Sequence, residues 1–388
     1  MTDTSADRDH GRPRRAIRAS KGGVRLLAVA ALIGWIGTPA LAQQPARLTP
    51  SVITSPSISA TDAEAVAAFG KARGDALLAA SADEAGSVIN SILNPLETTG
   101  VSVRFRQLYG DALDPAIREL LDDRETTWRR LTGLRLAARL ATEKSVRIIE
   151  DRLDDQRVED RFFAAFGVEL IFESARRSTP AISPARLQRL VDELAAGVED
   201  ERNHLLAGVR ARALASAGRV PDSAVAGLGE YARVRLANAI AARVRDLPTD
   251  RGAAGDLELR TCLQAADSLR NALVDPGLTP TEEFSRAAAG LAGDMIDHVL
   301  DRMQANIAGA GDSASMDAKL VGIAGQLAVF ADEKLAQATR GQPRLPEVVR
   351  DLKAPFESGR LGEFRNAAAT LLDALVRSPF NLDDNRFR

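Results

Sequence analysis

Between Phe162 and Phe172 the chain reads FFAAFGVELIF, apolar or glycine at every position except Glu169. A run this dense reads as a helix enclosed on nearly all sides. At the helical period Glu169 falls on one line with Glu173 and Arg176, close to Arg177. The spacing predicts a narrow polar stripe with one wet edge, in which Glu173 pairs with Arg176 or Arg177 one turn on. The competing reading makes Glu169 a buried catalytic carboxylate, and that chemistry needs a second polar group facing it.

The last third carries the clearest stripes. Phe284, Ala288, Leu291, Met295, Val299 and Met303 mark one helix, and Leu320, Ile323, Leu327, Phe330 or Ala331, and Leu335 mark another. The Gly-rich segment Ala308–Ala314 between them predicts a helical hairpin. Leu361, Phe364, Ala368, Leu371 and Leu375 supply a third helix that completes a bundle. Helix starts recur along the chain: capping boxes at Thr61/Glu64, Ser81/Glu84 and Thr279/Glu282, and cap-then-proline pairs at Asp114-Pro115 and Ser183-Pro184. Only SVITS (51–55) and VSVRFRQLY (101–109) alternate like strands, so the expected fold class is all-α.

The first 42 residues stand apart. Seven basic side chains precede the apolar run Leu26–Gly37, and Ala40 and Ala42 are the small residues a signal peptidase reads. A signal peptide over 1–42, cleaved after Ala42, is expected, with export to the periplasm or the extracellular space. The apolar run is short for a membrane span, and no transmembrane segment is expected after cleavage. Residues 43–60, rich in Pro, Ser and Thr without a period, read as a linker. Without the leader the chain holds 44 basic against 50 acidic side chains, an acidic balance that argues against nucleic-acid and anionic-lipid partners. Cys262 is the only cysteine, so no intrachain disulfide forms and packing alone holds the fold. It shares a helical face with Leu259, Ala266 and Leu269 and reads as a buried, inert thiol.

In LDDQRVEDRFFAAFGVEL (153–170), an acidic turn at Asp154 and Asp155 precedes Val158 and Arg161, and Ala164-Ala165 forms a small pair inside an apolar helix. This segment resembles the second half of a HEAT-type repeat, with fainter echoes from Asp122 and from Glu199, over roughly 85–245. The resemblance implies a solenoid-like stack of antiparallel helix pairs over 61–278, ahead of the C-terminal bundle over 279–388. It implies no chemistry.

Candidate chemistry is sparse. Asp294, His298 and Asp301 share one helical face, which reads either as part of a metal site or as a solvated stripe; the stripe is preferred, because one helix rarely gives three ligands to one ion. His204 reads as a surface or capping residue near a helix start. There is no G-x-S-x-G elbow, no S-x-x-K, no Walker loop and no G-x-G-x-x-G. NLDDNR (381–386) resembles the start of a calcium loop, but Arg386 stands where glycine is required. Aromatic residues are 4% of the chain, which argues against sugar- or base-stacking platforms. No catalytic, cofactor or metal residue is assigned. The expectation is an exported, non-catalytic scaffold that binds another protein or a cell-envelope component. The alternatives are an enzyme of an all-α class, using Glu169 or the Asp294/His298/Asp301 face, and a self-assembling structural protein.

Overall fold

The structure, a computed structural model, describes residues 48–123, 126–308, 314–383 and 385–387. The leader over 1–42 and its cleavage position lie outside the described residues, as does most of the Gly-rich segment Ala308–Ala314. The chain is all-α. Its helices are α1 (Pro50–Thr54), α2 (Ala60–Ala79), α3 (Ala82–Leu93), α4 (Val103–Asp122), α5 (Thr127–Leu140), α6 (Glu143–Leu153), α7 (Val158–Arg177) and α8 (Pro184–Asp200). There follow α9 (His204–Ala217), α10 (Leu228–Asp246), α11 (Gly252–Val274), α12 (Glu282–Gln304), α13 (Ala314–Thr339), α14 (Lys353–Glu357) and α15 (Leu361–Leu375). No strand occurs among the described residues; the one bridge joins Thr142 and Ala181.

The helices stack in two rows, giving a solenoid-like arrangement. In one row α5, α7, α9, α11 and α13 each pack against the next, with α4 and α2 extending it toward the N-terminus. In the other, α8 packs on α10, α10 on α12 and α12 on α15. The pairs α8–α9, α10–α11 and α12–α13 bridge the rows. One continuous apolar core runs between them, from Ile53 to Phe380. Each fully buried Leu or Phe in it contributes about 2–3 kcal/mol of transfer free energy.

Both strand-like segments are helical. Pro50 opens α1, whose Ile53 is buried and accepts a 3.0 Å bond from the Ser102 amide, so the linker expected over 43–60 contains a docked turn. In 101–109 the four-residue spacing of Phe105, Tyr109, Leu113 and Ile117 wins over the alternation, because it continues through a long buried face. Ser102 caps that helix, accepting from the Phe105 amide at 3.0 Å. Two expected caps shift by two residues. Ser59, not Thr61, caps α2 by accepting from Asp62 N at 3.1 Å. Thr281, not Thr279, caps α12, and Glu230 of α10 supplies the carboxylate that receives the Thr281 amide at 3.2 Å. Asp114-Pro115 starts nothing: it lies inside α4, where Asp114 accepts from Arg118 and Lys144 at 3.0 and 3.1 Å. Tertiary burial of Leu113, Ala116 and Ile117 holds the helix through the missing amide of Pro115. Ser81/Glu84 and Ser183-Pro184 begin α3 and α8 as the sequence indicates.

Arginine joins successive helices of the stack. Arg243 of α10 donates to Val198 O and Glu201 O at the end of α8, at 2.7 and 2.8 Å. Arg302 of α12 donates to Thr249 O just past the end of α10. Arg210 of α9 donates to Leu153 O at the end of α6. Arg243 and Arg210 thereby bring a cation to carbonyls that a helix end leaves without partners, at the negative end of its dipole. The C-terminal residues fold back in the same manner. Arg386 reaches buried Asp294 at 2.7 Å, and Phe387 lies against α12 where Gly290 and Gly293 leave room; a Cβ at Gly290 would stand 2.9 Å from the Arg386 guanidinium. Among the described residues α13 is the one helix long and apolar enough to cross a membrane by length and composition, but it packs between α11 and α12 and buries Asp317 and Asp332. Asp332 accepts loop amides: Oδ2 from Arg344 and Leu345, each at 2.8 Å, and Oδ1 from Arg344 at 3.0 Å. It is a core helix of this fold.

Candidate functional site

Glu169 sits on α7, in the row formed by α5, α7, α9, α11 and α13. Its side chain is 12% exposed and accepts from Arg212 Nε of α9 at 2.7 Å, while Glu173 is half-buried and Arg176 and Arg177 are exposed along the same stripe. The Arg212 guanidinium also lies over the Phe166 ring, 6.0 Å from its centre. The pair forms one wall of a cavity of about 240 Å³ between α7, α9 and α11. Gly208, Ala211 and Ala215 form its floor, and Thr261, Gln264 and Ser268 of α11 form the opposite wall. A second cavity of about 200 Å³ continues it between α9, α10 and α11, sharing Ala215, Arg219 and Ser268. A groove with small residues along its floor and polar groups on its rim runs beside α9.

Asp294, His298 and Asp301 do not form a solvated stripe. Asp294 and His298 are buried at 2% and 6% exposure, and only Asp301 reaches solvent. The α10, α11 and C-terminal segments cover the face that the wheel left open. Asp294 is held by Arg245 at 2.8 Å and by Arg386; its pKa is raised, because burial outweighs the two guanidiniums. Asp297, between them, is pushed up to about 6 by burial and by the charges of Asp301 and Asp294.

His298 belongs to a different cluster. Arg251 Nη1 donates to its Nε2 at 3.2 Å; since guanidinium only donates, Nε2 must accept and the ring is the neutral Nδ1–H tautomer. Burial, then Arg251 and Arg302, lowers its pKa to about 4. Arg251 also binds Asp317 and Asp256, and Arg302 binds Asp317 at 3.2 Å. Arg251, Arg302 and Asp317 are at most 1% exposed in their side chains. The cluster ties α11, α12 and α13 to the segment before α11. Among the described residues no group of three or more His, Cys, Asp and Glu side chains could hold a metal ion.

The remaining sequence candidates are structural. Cys262 is fully buried with Leu259, Ala266 and Leu269, and burial raises its thiol to about 12, so it holds no thiolate at neutral pH. His204 opens α9; its carbonyl receives Thr261 Oγ1 at 3.3 Å, and Asn203 caps the helix. Arg212, Arg219 and the Gly208/Ala211/Ala215 floor were not singled out from the sequence. The available signal was the small residues at 208, 211 and 215, which share one face of α9.

Known proteins add nothing to these observations. No family model matches the chain, and no curated protein matches its sequence. Among solved structures, an engineered protein determined by the Northeast Structural Genomics Consortium aligns with 84% of this chain and 93% of its own at 14% identity. Its TM-score is 0.28, too low to support an argument about fold or function.

Proposed function

We propose that the chain is an exported, non-catalytic scaffold of HEAT-like helix pairs that binds an extended segment of another protein of the cell envelope in the groove beside α9. The observation that carries this reading is the continuity of the two cavities through Ala215, Arg219 and Ser268. A floor of glycine and alanine lets a partner backbone approach closely, while Thr261, Gln264 and Ser268 offer groups for its amides and carbonyls. Arg219 is exposed on the rim and suits an acidic side chain of that segment. The Asp154-Asp155 turn between α6 and α7, and the buried Ala164-Ala165 pair, support the HEAT-like reading. The basic, then apolar, then small-residue order of the leader supports export.

The test is a photo-crosslinker at Gln264, on the groove wall, against one at Arg189, exposed on α8 in the other row. In envelope extracts a discrete protein adduct is expected at Gln264 alone, and Ala215→Trp, which fills the groove, should remove it. Adducts of the same set at both positions, or persisting in the Ala215→Trp protein, would refute the groove. Export has its own check: the N-terminus of the native protein should be Gln43.

A further inference from the structure

The eight buried arginines of the described chain fall into two unequal groups. Arg130, Arg186, Arg210, Arg233, Arg243, Arg251 and Arg302 each hold a carboxylate. Arg106, 6% exposed, has no carboxylate among the described residues. Its Nη1 reaches Arg139 O and Leu140 O, at the end of α5, with long bonds of 3.3 and 3.4 Å. The helix terminus offers only about half an elementary charge against a full one. A buried cation left in that state is costly unless something neutralises it. Burial and the neighbouring Arg139 both lower its pKa, in keeping with a missing counter-charge.

Arg106 also lines a cavity of about 350 Å³, separate from the α9 groove, between the 96–101 loop, the end of α5 and the end of α7. Arg139 and Arg177 line it too, against Glu97 and Glu173, so its walls carry one net positive charge. Arg139 is engaged by Glu97 at 3.1 Å. Thr98 and Ser174 bring hydroxyls, and Leu96 and Leu170 give it an apolar side. The size falls in the range of small-molecule sites, and the mixture of a few convergent polar groups with apolar walls is what such sites require.

We infer that this cavity binds a small organic oxyanion, with a carboxylate favoured over a phosphate, whose negative charge neutralises Arg106 and whose hydrocarbon part lies on Leu96 and Leu170. A carboxylate is favoured because the single net positive charge of the walls suits a monoanion. This site stands apart from the proposed protein-binding groove, and either can fail without the other.

The experiment is thermal unfolding of the exported chain titrated with sodium butyrate and, separately, with inorganic phosphate, at fixed ionic strength balanced by chloride. The expected result is a saturable rise in Tm, reached at lower concentration with butyrate than with phosphate; a stronger response to phosphate would overturn the carboxylate assignment. Arg106→Gln should abolish the rise. Arg177→Gln, at an exposed position where folding is not at risk, should weaken the apparent affinity about tenfold, the loss of one charged hydrogen bond. If Arg106→Gln does not fold, the Arg177→Gln titration decides alone. No saturable shift with either probe, or a shift that Arg177→Gln leaves unchanged, would overturn the inference.

Discussion

Arg251 and Arg302 on one side, and Arg106 on the other, are the same side chain at similar burial in the same stack, with opposite surroundings. The first two converge on Asp317 inside the α11–α13 packing, with His298 held neutral beside them. Arg106 meets only weak carbonyl contacts and a cavity. The difference separates a buried charge that holds helices together from one whose compensation must arrive from outside. In a solenoid-like stack with few aromatics and one thiol, guanidiniums take up the work of joining successive helices, and the exception marks a place worth probing.

The strongest way to break this comparison is to remove the shared anion. Asp317→Ala should leave Arg302 buried without its carboxylate and Arg251 with Asp256 alone, and cost about 3–5 kcal/mol, read as the urea midpoint. A loss below about 1 kcal/mol would mean that the cluster is no more structural than Arg106. Gly197→Ala tests the same principle one pair away. A Cβ there would coincide with the guanidinium of Arg210, which must then leave Leu153 O and Asp154. A cost of about 2 kcal/mol is expected, the scale of a lost charged hydrogen bond in the interior.

Much of this was legible in the residues. The stripes in the last third run through α12, α13 and α15, and Ser81/Glu84 and Ser183-Pro184 begin helices where they should. Local chemistry fails where partners come from afar. Thr281 displaces Thr279 as a cap because Glu230 of α10 stands opposite it. Asp294 and His298 are buried because Arg245, Arg251 and Arg386, 49, 47 and 92 residues away, come to meet them. A helical wheel records direction but not what lies in that direction. Glu169 shows the same limit: its partner, Arg212, comes from α9. The Arg106 cavity assembles three separated segments, and no local pattern announces it.

A subtler contrast lies at the rim of the C-terminal cluster. Asp297 has a folded pKa of about 6 against an ordinary 3.8, so its charged form opposes folding and its contribution to stability falls as pH rises from 3.8 to 6. His298, at about 4 against 6.5, acts in the other sense: stability falls as pH drops from 6.5 to 4. The two slopes offset each other in the native chain. Asp297→Asn should therefore raise stability by about 1 kcal/mol above pH 6, a figure reduced for solvent screening at this half-buried site, with the gain gone below about pH 4. Its Tm should then fall more steeply than that of the native chain between pH 6.5 and 4. A parallel pair of profiles would remove Asp297 as the opposing group.

The smallest effect is expected where the comparison is sharpest, beside Arg106 itself. Glu97 pairs with Arg139 at 3.1 Å, but the two side chains are 58% and 27% exposed, and exposed pairs contribute little. Glu97→Gln should change stability by no more than about 0.5 kcal/mol in water. It also removes one of the two acidic groups from a wall shared with Arg106, Arg139 and Arg177, raising the positive charge that an oxyanion would meet. If the charge of Arg106 is truly uncompensated, this surface change should destabilise the chain slightly at low salt and make added anion more stabilising than in the native protein. Were Glu97 already neutralising Arg106 across the cavity, the same substitution would cost several times more and mimic Asp317→Ala in miniature. The salt dependence of one conservative variant thus distinguishes a cavity that awaits its anion from one that already contains it.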